Sequence, residues 1–258
     1  MNFDTQAAAA ESLARVAADA LVVVLVGEAA RKGLDKPVGA ALDAALADGE
    51  FAFKAGKAVL LHHPPKVAAP RLVLAAAADA SPKAFHKALA AALALLKAGG
   101  SAHVAVWLAG AQVEGDHAEA LALAAAEAAY LYRHTKPSAP PAPRLARLTL
   151  LVPATEQAAL ELALGQGAHV AAGVTLAREC ANRPGNHCTP SFLAEEARRL
   201  GRQNGCQVQV LGRAQIEKLG MGSFLAVAQG SSEPMKFIVI EYRGAPLRQA
   251  PVVLVGKG

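Results

Sequence analysis

The residues with the most suggestive chemistry lie at positions 251–258, which read PVVLVGKG. Four apolar residues, Val252 to Val255, predict a buried strand, and Lys257 follows between two glycines. Residues directly after a parallel strand lie where α/β sheets bind their ligands, and flanking glycines let a backbone approach a ligand closely. The other interpretation of this motif is an exposed lysine in a turn.

A phosphate-binding loop is excluded for this segment. Such a loop has the pattern GxxxxGK followed by Ser or Thr, because the hydroxyl group must reach a magnesium ion. Pro251 stands where the first glycine is required, and Gly258 stands where the hydroxyl is required.

Two histidine arrangements also invite a catalytic or metal-binding interpretation. His62 and His63 follow a predicted strand, but no third ligand of suitable type lies at helical or hairpin spacing, which favours a surface loop. His187 is adjacent to Cys188, and adjacent side chains on an extended chain point to opposite faces, which disfavours a Cys–His nucleophile pair. The sequence contains no GxSxG, HExxH or GxGxxG motif.

The composition is that of a globular protein, with 53% hydrophobic and 18% charged residues among 258. Cys180, Cys188 and Cys206 form no CxxC pair, which disfavours a zinc site or a disulfide framework and favours reduced thiols. The N-terminus does not resemble a signal peptide, and no apolar run approaches the ~20 residues of a membrane span. We therefore expect a soluble, cytoplasmic protein that has no membrane segment.

The net charge of +5 is unevenly distributed along the chain. Residues 178–258 hold 11 basic and 6 acidic residues, whereas residues 1–177 hold 15 of each. A basic segment can bind nucleic acid or acidic partners. Three of its arginines, however, lie beside two glutamates on a predicted helix, so a solvated helix face is the favoured interpretation. These residues are Arg198, Arg199, Arg202, Glu195 and Glu196.

Apolar runs and helical patterns alternate through residues 1–153. Most runs are continuous, which is typical of strands covered on both faces. The predicted strands are Ala20–Val26, Ala58–Leu61, Arg71–Leu74, His103–Leu108 and Leu145–Val152. The predicted helices are Pro82–Lys97, with Ser81 as N-cap, and Asp116–Arg133. This order predicts an N-terminal α/β domain with a mostly parallel sheet and an exposed proline-rich loop at 136–143.

A long predicted helix, Thr155 to Cys180, leads to a second unit, with Thr155 as a candidate N-cap. We place the N-terminal domain at 1–153, the connecting helix at 154–182 and the start of a second α/β domain at 183–258. In the second unit a turn cluster at 182–186 precedes helices and strands. They are predicted as Ser191–Asn204 and Ala214–Leu219 for helices, and Cys206–Leu211, Lys236–Tyr242 and Val252–Val255 for strands.

Several short motifs follow one another in residues 177–258. They are Asn182/Pro184/Asn186, Thr189-Pro190, Leu219–Gly222, Ala226–Ser231, Ile240–Tyr242 and Val255–Gly258. In type and order they resemble the leucyl aminopeptidase family, the dinuclear-metal cytosolic aminopeptidases. Its pattern has Asn-x-Pro-x-Asn, Thr-Pro, Leu-Gly-Met-Gly, Ala-Val-x-x-Gly-Ser, an Ile-x-Tyr strand and a strand ending in Val-Gly-Lys-Gly. Residues 1–150 resemble the family's N-terminal domain only in size and α/β order.

The resemblance implies a metal-dependent aminopeptidase that releases N-terminal residues, preferably leucine or other apolar ones, from peptides. It implies two divalent metal ions per subunit, manganese or zinc, and a hexamer. In the family the lysine of Val-Gly-Lys-Gly ligates one metal, which makes Lys257 the expected metal ligand here. An ammonium group cannot coordinate a metal, so Lys257 would bind as the neutral amine, which burial and nearby dications favour.

The same resemblance implies that most of the active site lies elsewhere. In the family the carboxylate ligands, a second catalytic lysine and an arginine follow this motif. We therefore expect the catalytic residues beyond Gly258, and we expect the chain to be the N-terminal part of a longer subunit, inactive by itself. The substrate-binding residues are unknown from the sequence.

The alternative function is a non-catalytic α/β module that binds nucleotide or DNA. The positive charge of residues 178–258 supports it modestly, but no basic stripe interleaved with aromatic residues is present. A steep salt dependence of DNA binding would favour this alternative. Hydrolysis of a leucyl amide that a chelator abolishes would favour the peptidase.

Overall fold

The chain forms two units in a computed structural model that describes residues 1–246 and 248–257. The units comprise residues 1–177 and 178–258. The break between them falls inside helix α4 (Gln157–Asn182), in the segment that the sequence predicts as a connection. The domain boundaries after residues 153 and 182 remain predictions.

The first unit is built on one mostly parallel sheet. Residues 1–177, all of which are described, form six strands in the order β1-β6-β5-β2-β4-β3, and only β3 runs antiparallel to its neighbour β4. The predicted α/β fold is confirmed. The elements are β1 (Asn2–Ala7), β2 (Ala20–Val26), α1 (Lys36–Ala47), β3 (Ala58–His62), β4 (Arg71–Ala77), α2 (Pro82–Leu96), β5 (His103–Ala109), α3 (Gly115–Ala129), β6 (Arg147–Val152) and the first part of α4, with short 3-10 helices at Ala10–Arg15 and Glu28–Gly33.

Strand β2 is buried on both faces, as its continuous apolar sequence predicts. Alternate residues of a strand point to opposite faces, so β2 contributes to two separate cores. One core lies under α2, α3 and α4, and the other lies against α1 and the two 3-10 helices. The first receives Ala20, Val22 and Val24, and the second receives Leu21, Val23 and Leu25.

Strand β1 is an element that the hydrophobic pattern does not predict, because its sequence NFDTQA is mostly polar. It forms the edge of the sheet and pairs in parallel with β6. The Asp4 carboxylate accepts hydrogen bonds from the Thr149 hydroxyl at 2.5 Å and from the Arg147 Nε at 2.6 Å. The buried Thr149 hydroxyl thereby has a partner, and the edge strand is fixed by contacts with a distant part of the chain.

Helix α1 is the second element missing from the sequence prediction, although its start signals are present. Asp35 is the N-cap, and its Oδ1 accepts from the Val38 N–H at 3.0 Å. Pro37 lies in the first turn, where a proline is tolerated, and Gly39 weakens the helical pattern behind it. The second Asp35 oxygen accepts from the Ala14 N–H at 2.6 Å, so one buried carboxylate joins α1 to the segment before β2.

The remaining predicted helices of the first unit are present with shifted ends. Ser81 caps α2 as predicted, because its Oγ accepts from the Ala84 N–H at 3.2 Å. Helix α3 ends at Ala129 and not at Arg133, since Tyr130 adopts an extended backbone (φ −72°, ψ 128°). Helix α4 begins at Gln157, so the prediction of Thr155 as its N-cap is wrong.

Helix α4 packs closely on α3 through a glycine. A Cβ atom built at Gly167 would lie 2.6 Å from the Glu119 Cα, whereas one built at Gly165 would meet nothing within 4 Å. The close approach of the two helices therefore depends on the missing side chain at 167. Although α4 has 26 residues, neither it nor any other helix in the described ranges has the length and apolar character required to cross a membrane.

We expect Asp35→Ala to lower the free energy of unfolding of the first unit by about 2–3 kcal/mol, because two backbone N–H groups lose their acceptor at a buried site. Urea denaturation followed by the fluorescence of Trp107, the only tryptophan in the sequence, measures this loss. The control is Asp43→Ala on the same helix, whose exposed ion pair with Arg31 contributes less than about 1 kcal/mol. Equal losses in both variants would contradict the role of Asp35.

Two alanine substitutions on α4 should have opposite effects. Gly167→Ala places a methyl group against the α3 backbone and should destabilise the first unit by about 1–3 kcal/mol. Gly165→Ala meets open space and should stabilise it by about 0.5–1 kcal/mol, since alanine is the better helix former. The same denaturation measurement tests both variants, and stabilisation by Gly167→Ala would refute the close helix contact.

Candidate functional site

The second unit contains short elements around an antiparallel pair of strands. Its described elements after α4 are α5 (Pro190–Asn204), β7 (Gln207–Leu211), α6 (Arg213–Lys218), α7 (Gly222–Ala228) and β8 (Phe237–Glu241). The pairing of β7 with β8 runs from Gln207 opposite Glu241 to Leu211 opposite Phe237. Helix α7, which the sequence prediction lacks, overlaps the Leu219–Gly222 and Ala226–Ser231 motifs.

Helix α5 lies close to strand β7 because Gly201 has no side chain. A Cβ atom at this position would lie 2.5 Å from the Val208 Cγ2. Gly205 caps the C-terminus of the helix, and its left-handed backbone (φ 67°) suits glycine and lets the chain turn into the strand. This packing positions β7. Strand β7 pairs with β8, which overlaps the Ile-x-Tyr motif at Ile240–Tyr242.

The Asn-Pro-Asn motif forms the turn between α4 and α5, as predicted. The Pro184 carbonyl oxygen accepts hydrogen bonds from the backbone N–H groups of His187 at 2.8 Å and Cys188 at 2.9 Å. Thr189 then caps α5, because its hydroxyl accepts from the Phe192 N–H at 3.2 Å. The Thr-Pro motif is therefore a helix start, with Pro190 in the first position.

Arg183 anchors this turn, a role that the sequence analysis missed. Its guanidinium lies 4.6 Å from the centroid of the Phe192 ring, and it forms an ion pair with Glu179 at 3.4 Å. The ion pair with Glu179 is weakly predictable from the sequence, because the two residues have the i,i+4 spacing of neighbours on a helix. The contact with Phe192 is not predictable, because Phe192 lies on the next helix and reaches Arg183 only when the turn is folded.

Two of the three thiols meet beside this turn. The side chains of Cys180, in the last turn of α4, and Cys188, just before the N-cap of α5, are in hydrogen-bond contact. Burial raises the pKa of the Cys180 thiol, and the neighbouring Cys188 and Glu196 raise it further. All three cysteines are free thiols in this structure.

Two of the three arginines of α5 form ion pairs along the helix. Arg198 pairs with Glu195, and Arg199 pairs with Glu196 at 2.7 Å. Both pairs have the i,i+3 spacing that links neighbours on a helix surface. The predicted solvated helix face is confirmed for these two pairs, and Arg202 on the same helix is exposed.

The predicted strand Val252–Val255 is wrong for this chain. In the described residues these positions have no strand partner and are between 73% and 92% exposed. A strand of four apolar residues is stable only when neighbouring strands satisfy its backbone and cover its side chains. The described part of the second unit supplies neither, so the apolar pattern alone does not produce the strand.

Lys257 is exposed in this segment, and Gly258 lies outside the described residues. Within residues 1–246 and 248–257, no three His, Cys, Asp or Glu side chains converge in a way that could hold a metal ion. One lysine cannot hold two cations. The described residues therefore do not by themselves fit a dinuclear centre, and the metal-ligand role of Lys257 stays a prediction.

The histidine pair of the first unit is a surface feature, as predicted. His62 ends β3, and His63 has a left-handed backbone (φ 50°) in the loop that follows. Both side chains are exposed.

The fold is similar to that of two solved enzyme structures. A mutant of tomato leucine aminopeptidase matches with a TM-score of 0.80 and 24% identity, over 96% of this chain and 52% of that chain. The bottromycin maturation enzyme BotP in complex with Mn matches with a TM-score of 0.69 and 23% identity, over 88% of this chain and 46% of that chain. At these identities the similarity shows the fold.

Curated relatives are similar along all or most of the chain. A probable cytosol aminopeptidase of Methylibium petroleiphilum is 57% identical over 258 residues, which is 100% of this chain and 53% of the relative. A probable cytosol aminopeptidase of a Polaromonas species is 42% identical over 93% of this chain and 47% of the relative. The chain thus spans about half the length of the curated relatives it matches.

Two domain models of one family match successive parts of the chain. The N-terminal domain of the cytosol aminopeptidase family matches residues 23–138, and the catalytic domain of the same family matches residues 175–258. The second match covers the Asn-Pro-Asn turn, α5, the β7–β8 pair and the segment that carries Lys257. Together with the relatives, these matches show that the chain belongs to the cytosol aminopeptidase family.

Proposed function

We propose that the protein is a metal-dependent aminopeptidase that removes N-terminal residues, preferably leucine or other apolar ones, from peptides. The observation that carries this proposal is the match, in order, of the N-terminal and catalytic domains of one aminopeptidase family. In this proposal the chain supplies the N-terminal domain and the beginning of the catalytic domain. The complete protein acts in the cytoplasm as a hexamer with two divalent ions per subunit.

The exposed apolar segment supports a strand in the complete catalytic domain. Its side chains, Val252 to Val255, are at least 73% exposed here. Fully burying one such side chain stabilises a protein by about 1.5–3 kcal/mol, so neighbouring strands that covered the segment would be strongly favoured. We assign the segment to an interior strand that positions Lys257 at the metal centre.

Lys257 is the one metal ligand that we assign to this chain. The remaining ligands and the catalytic residues belong to positions beyond Gly258 in this proposal. Manganese and zinc are the candidate ions, and manganese has the support of the similar fold of BotP, which is in complex with Mn. Burial beside a dication favours the neutral amine that a lysine needs in order to coordinate.

The test of the activity is hydrolysis of leucine p-nitroanilide by the full natural protein. We expect hydrolysis that a chelator abolishes and that added Mn²⁺ or Zn²⁺ restores, because metal-assisted hydrolysis requires the ion. A glutamyl analogue should react more slowly than the leucyl substrate. Activity that survives complete metal removal would refute the metal dependence, and no release from any aminoacyl anilide would refute the peptidase.

The assignment of Lys257 is tested by Lys257→Ala in the same protein. We expect a loss of activity of at least about 100-fold together with a lower metal content, since even residues that only support metal ligands cost about 10–100-fold when they are changed. The matched control is Lys218→Ala, which removes an equal charge from the end of α6 and should retain activity. Full activity and full metal content in Lys257→Ala would overturn the assignment.

A further inference from the structure

Two cysteines stand at either end of the connection between α4 and α5. Cys180 lies in the last turn of α4, and Cys188 directly precedes Thr189, the N-cap of α5. Both are partly buried, and their side chains are in hydrogen-bond contact. The third cysteine, Cys206, is also partly buried, but its Sγ faces the Asn204 carbonyl oxygen at 3.8 Å.

The backbone of the turn brings the two thiols together. The Arg183 N–H donates to the Cys180 carbonyl oxygen at 3.3 Å, and the Cys188 N–H donates to the Pro184 carbonyl oxygen at 2.9 Å. These two hydrogen bonds form a turn that brings Cys188 back toward the end of α4. The Arg183 guanidinium stacks on the Phe192 ring, 4.6 Å from its centroid, and this contact joins the same turn to α5. The thiol contact is thus a consequence of a fixed turn.

The surroundings of Cys180 give the two thiols different roles. Burial disfavours a negative charge on Cys180 and raises its pKa, and the neighbouring Cys188 and Glu196 raise it further, whereas Arg183 lowers it by a smaller contribution. Because the thiolate is the form that attacks an oxidant, Cys180 is the poorer first nucleophile. Cys188 is then the sulfur that reacts first, and Cys180 is the thiol that resolves the product.

We propose that Cys180 and Cys188 form a reversible disulfide, which makes this turn a redox modification site for peroxides. The Cys188 thiolate attacks one oxygen of hydrogen peroxide, the O–O bond breaks, and the released hydroxide takes a proton to give water. The Cys180 sulfur then attacks the sulfur of the Cys188 sulfenic acid. The S–O bond breaks and a second water leaves with the Cys180 proton. Two thiols and one peroxide give one disulfide and two waters.

A dithiol reductant reverses the modification. It attacks the disulfide through its thiolate, passes two electrons to the protein sulfurs and is itself oxidised to a disulfide. The bond closes a ring that contains Asn182, Pro184 and Asn186, the motif by which the second unit resembles its family. The modification therefore acts on the geometry of this motif.

The test uses the full natural protein, reduced and then treated with a small molar excess of hydrogen peroxide before alkylation and trypsin digestion. Trypsin cleaves after Arg178 and Arg198 but not between Arg183 and Pro184, so one peptide, 179–198, carries both cysteines. We expect this peptide to escape alkylation and to lose about 2 Da, the mass of two hydrogens, and we expect dithiothreitol to reverse both effects.

Cys206 is an internal control, because it lies in the separate peptide 203–213. At the same peroxide concentration its thiol should stay reduced and should therefore be alkylated. In Cys180→Ser the Cys180–Cys188 disulfide cannot form, and Cys188 should instead proceed to the sulfinic acid because its resolving thiol is absent. Cys206→Ser should behave like the natural protein. An unchanged peptide 179–198, or equal oxidation of Cys180, Cys188 and Cys206, would overturn the proposal. The readout is a mass and needs no peptidase activity, so it stands apart from the proposed function.

Discussion

The first unit depends on covering both faces of a parallel sheet at once. Its central strand, β2, is buried along six consecutive residues, and these alternate between two cores. Each core needs its own layer, and the chain places α2, α3 and α4 on one side and α1 with two 3-10 helices on the other. The small residues of these helices allow close approach, which Gly167 against Glu119 shows most clearly.

The second unit lacks this arrangement in the described residues. Within residues 178–246 and 248–257, strands β7 and β8 pair only with each other, and Val239 and Ile240 of β8 are 38% and 50% exposed. A two-stranded sheet is marginal by itself, because one face and both edges stay in water. The apolar residues 252–255 are also left in water. Their sequence suits an interior strand, but the described part of the unit has no strand that pairs with them. The unit is organised instead around its helices and the turn that precedes α5.

That turn concentrates several independent contacts. A helix end, a proline carbonyl with two donors, a capping threonine and an arginine stacked on an aromatic ring all lie between Cys180 and Phe192. The two thiols meet because these contacts determine the path of the backbone. Their spacing of eight residues carries no such information in the sequence, where it matches neither a zinc motif nor a disulfide framework.

The candidate site was only partly predictable. The order of short motifs in residues 177–258 was sufficient to indicate the family, and the matches to both family domains agree with it. The place of Lys257 was not predictable from the chain, because a metal centre requires ligands that converge from several elements. In the described residues no such group converges, and the strand that should present Lys257 is not formed.

By itself the sequence determined the strands with continuous apolar runs in the first unit, the helix cap at Ser81 and the two ion pairs of α5. These features follow from local patterns of burial, capping and spacing. Tertiary structure alone decided that the polar segment Asn2–Ala7 is a strand, because Asp4 accepts hydrogen bonds from Thr149 and Arg147, which lie far along the chain. It also decided that the apolar segment Val252–Val255 is not a strand here. A strand exists only where another strand accepts its backbone hydrogen bonds, and partners of that kind are not encoded locally.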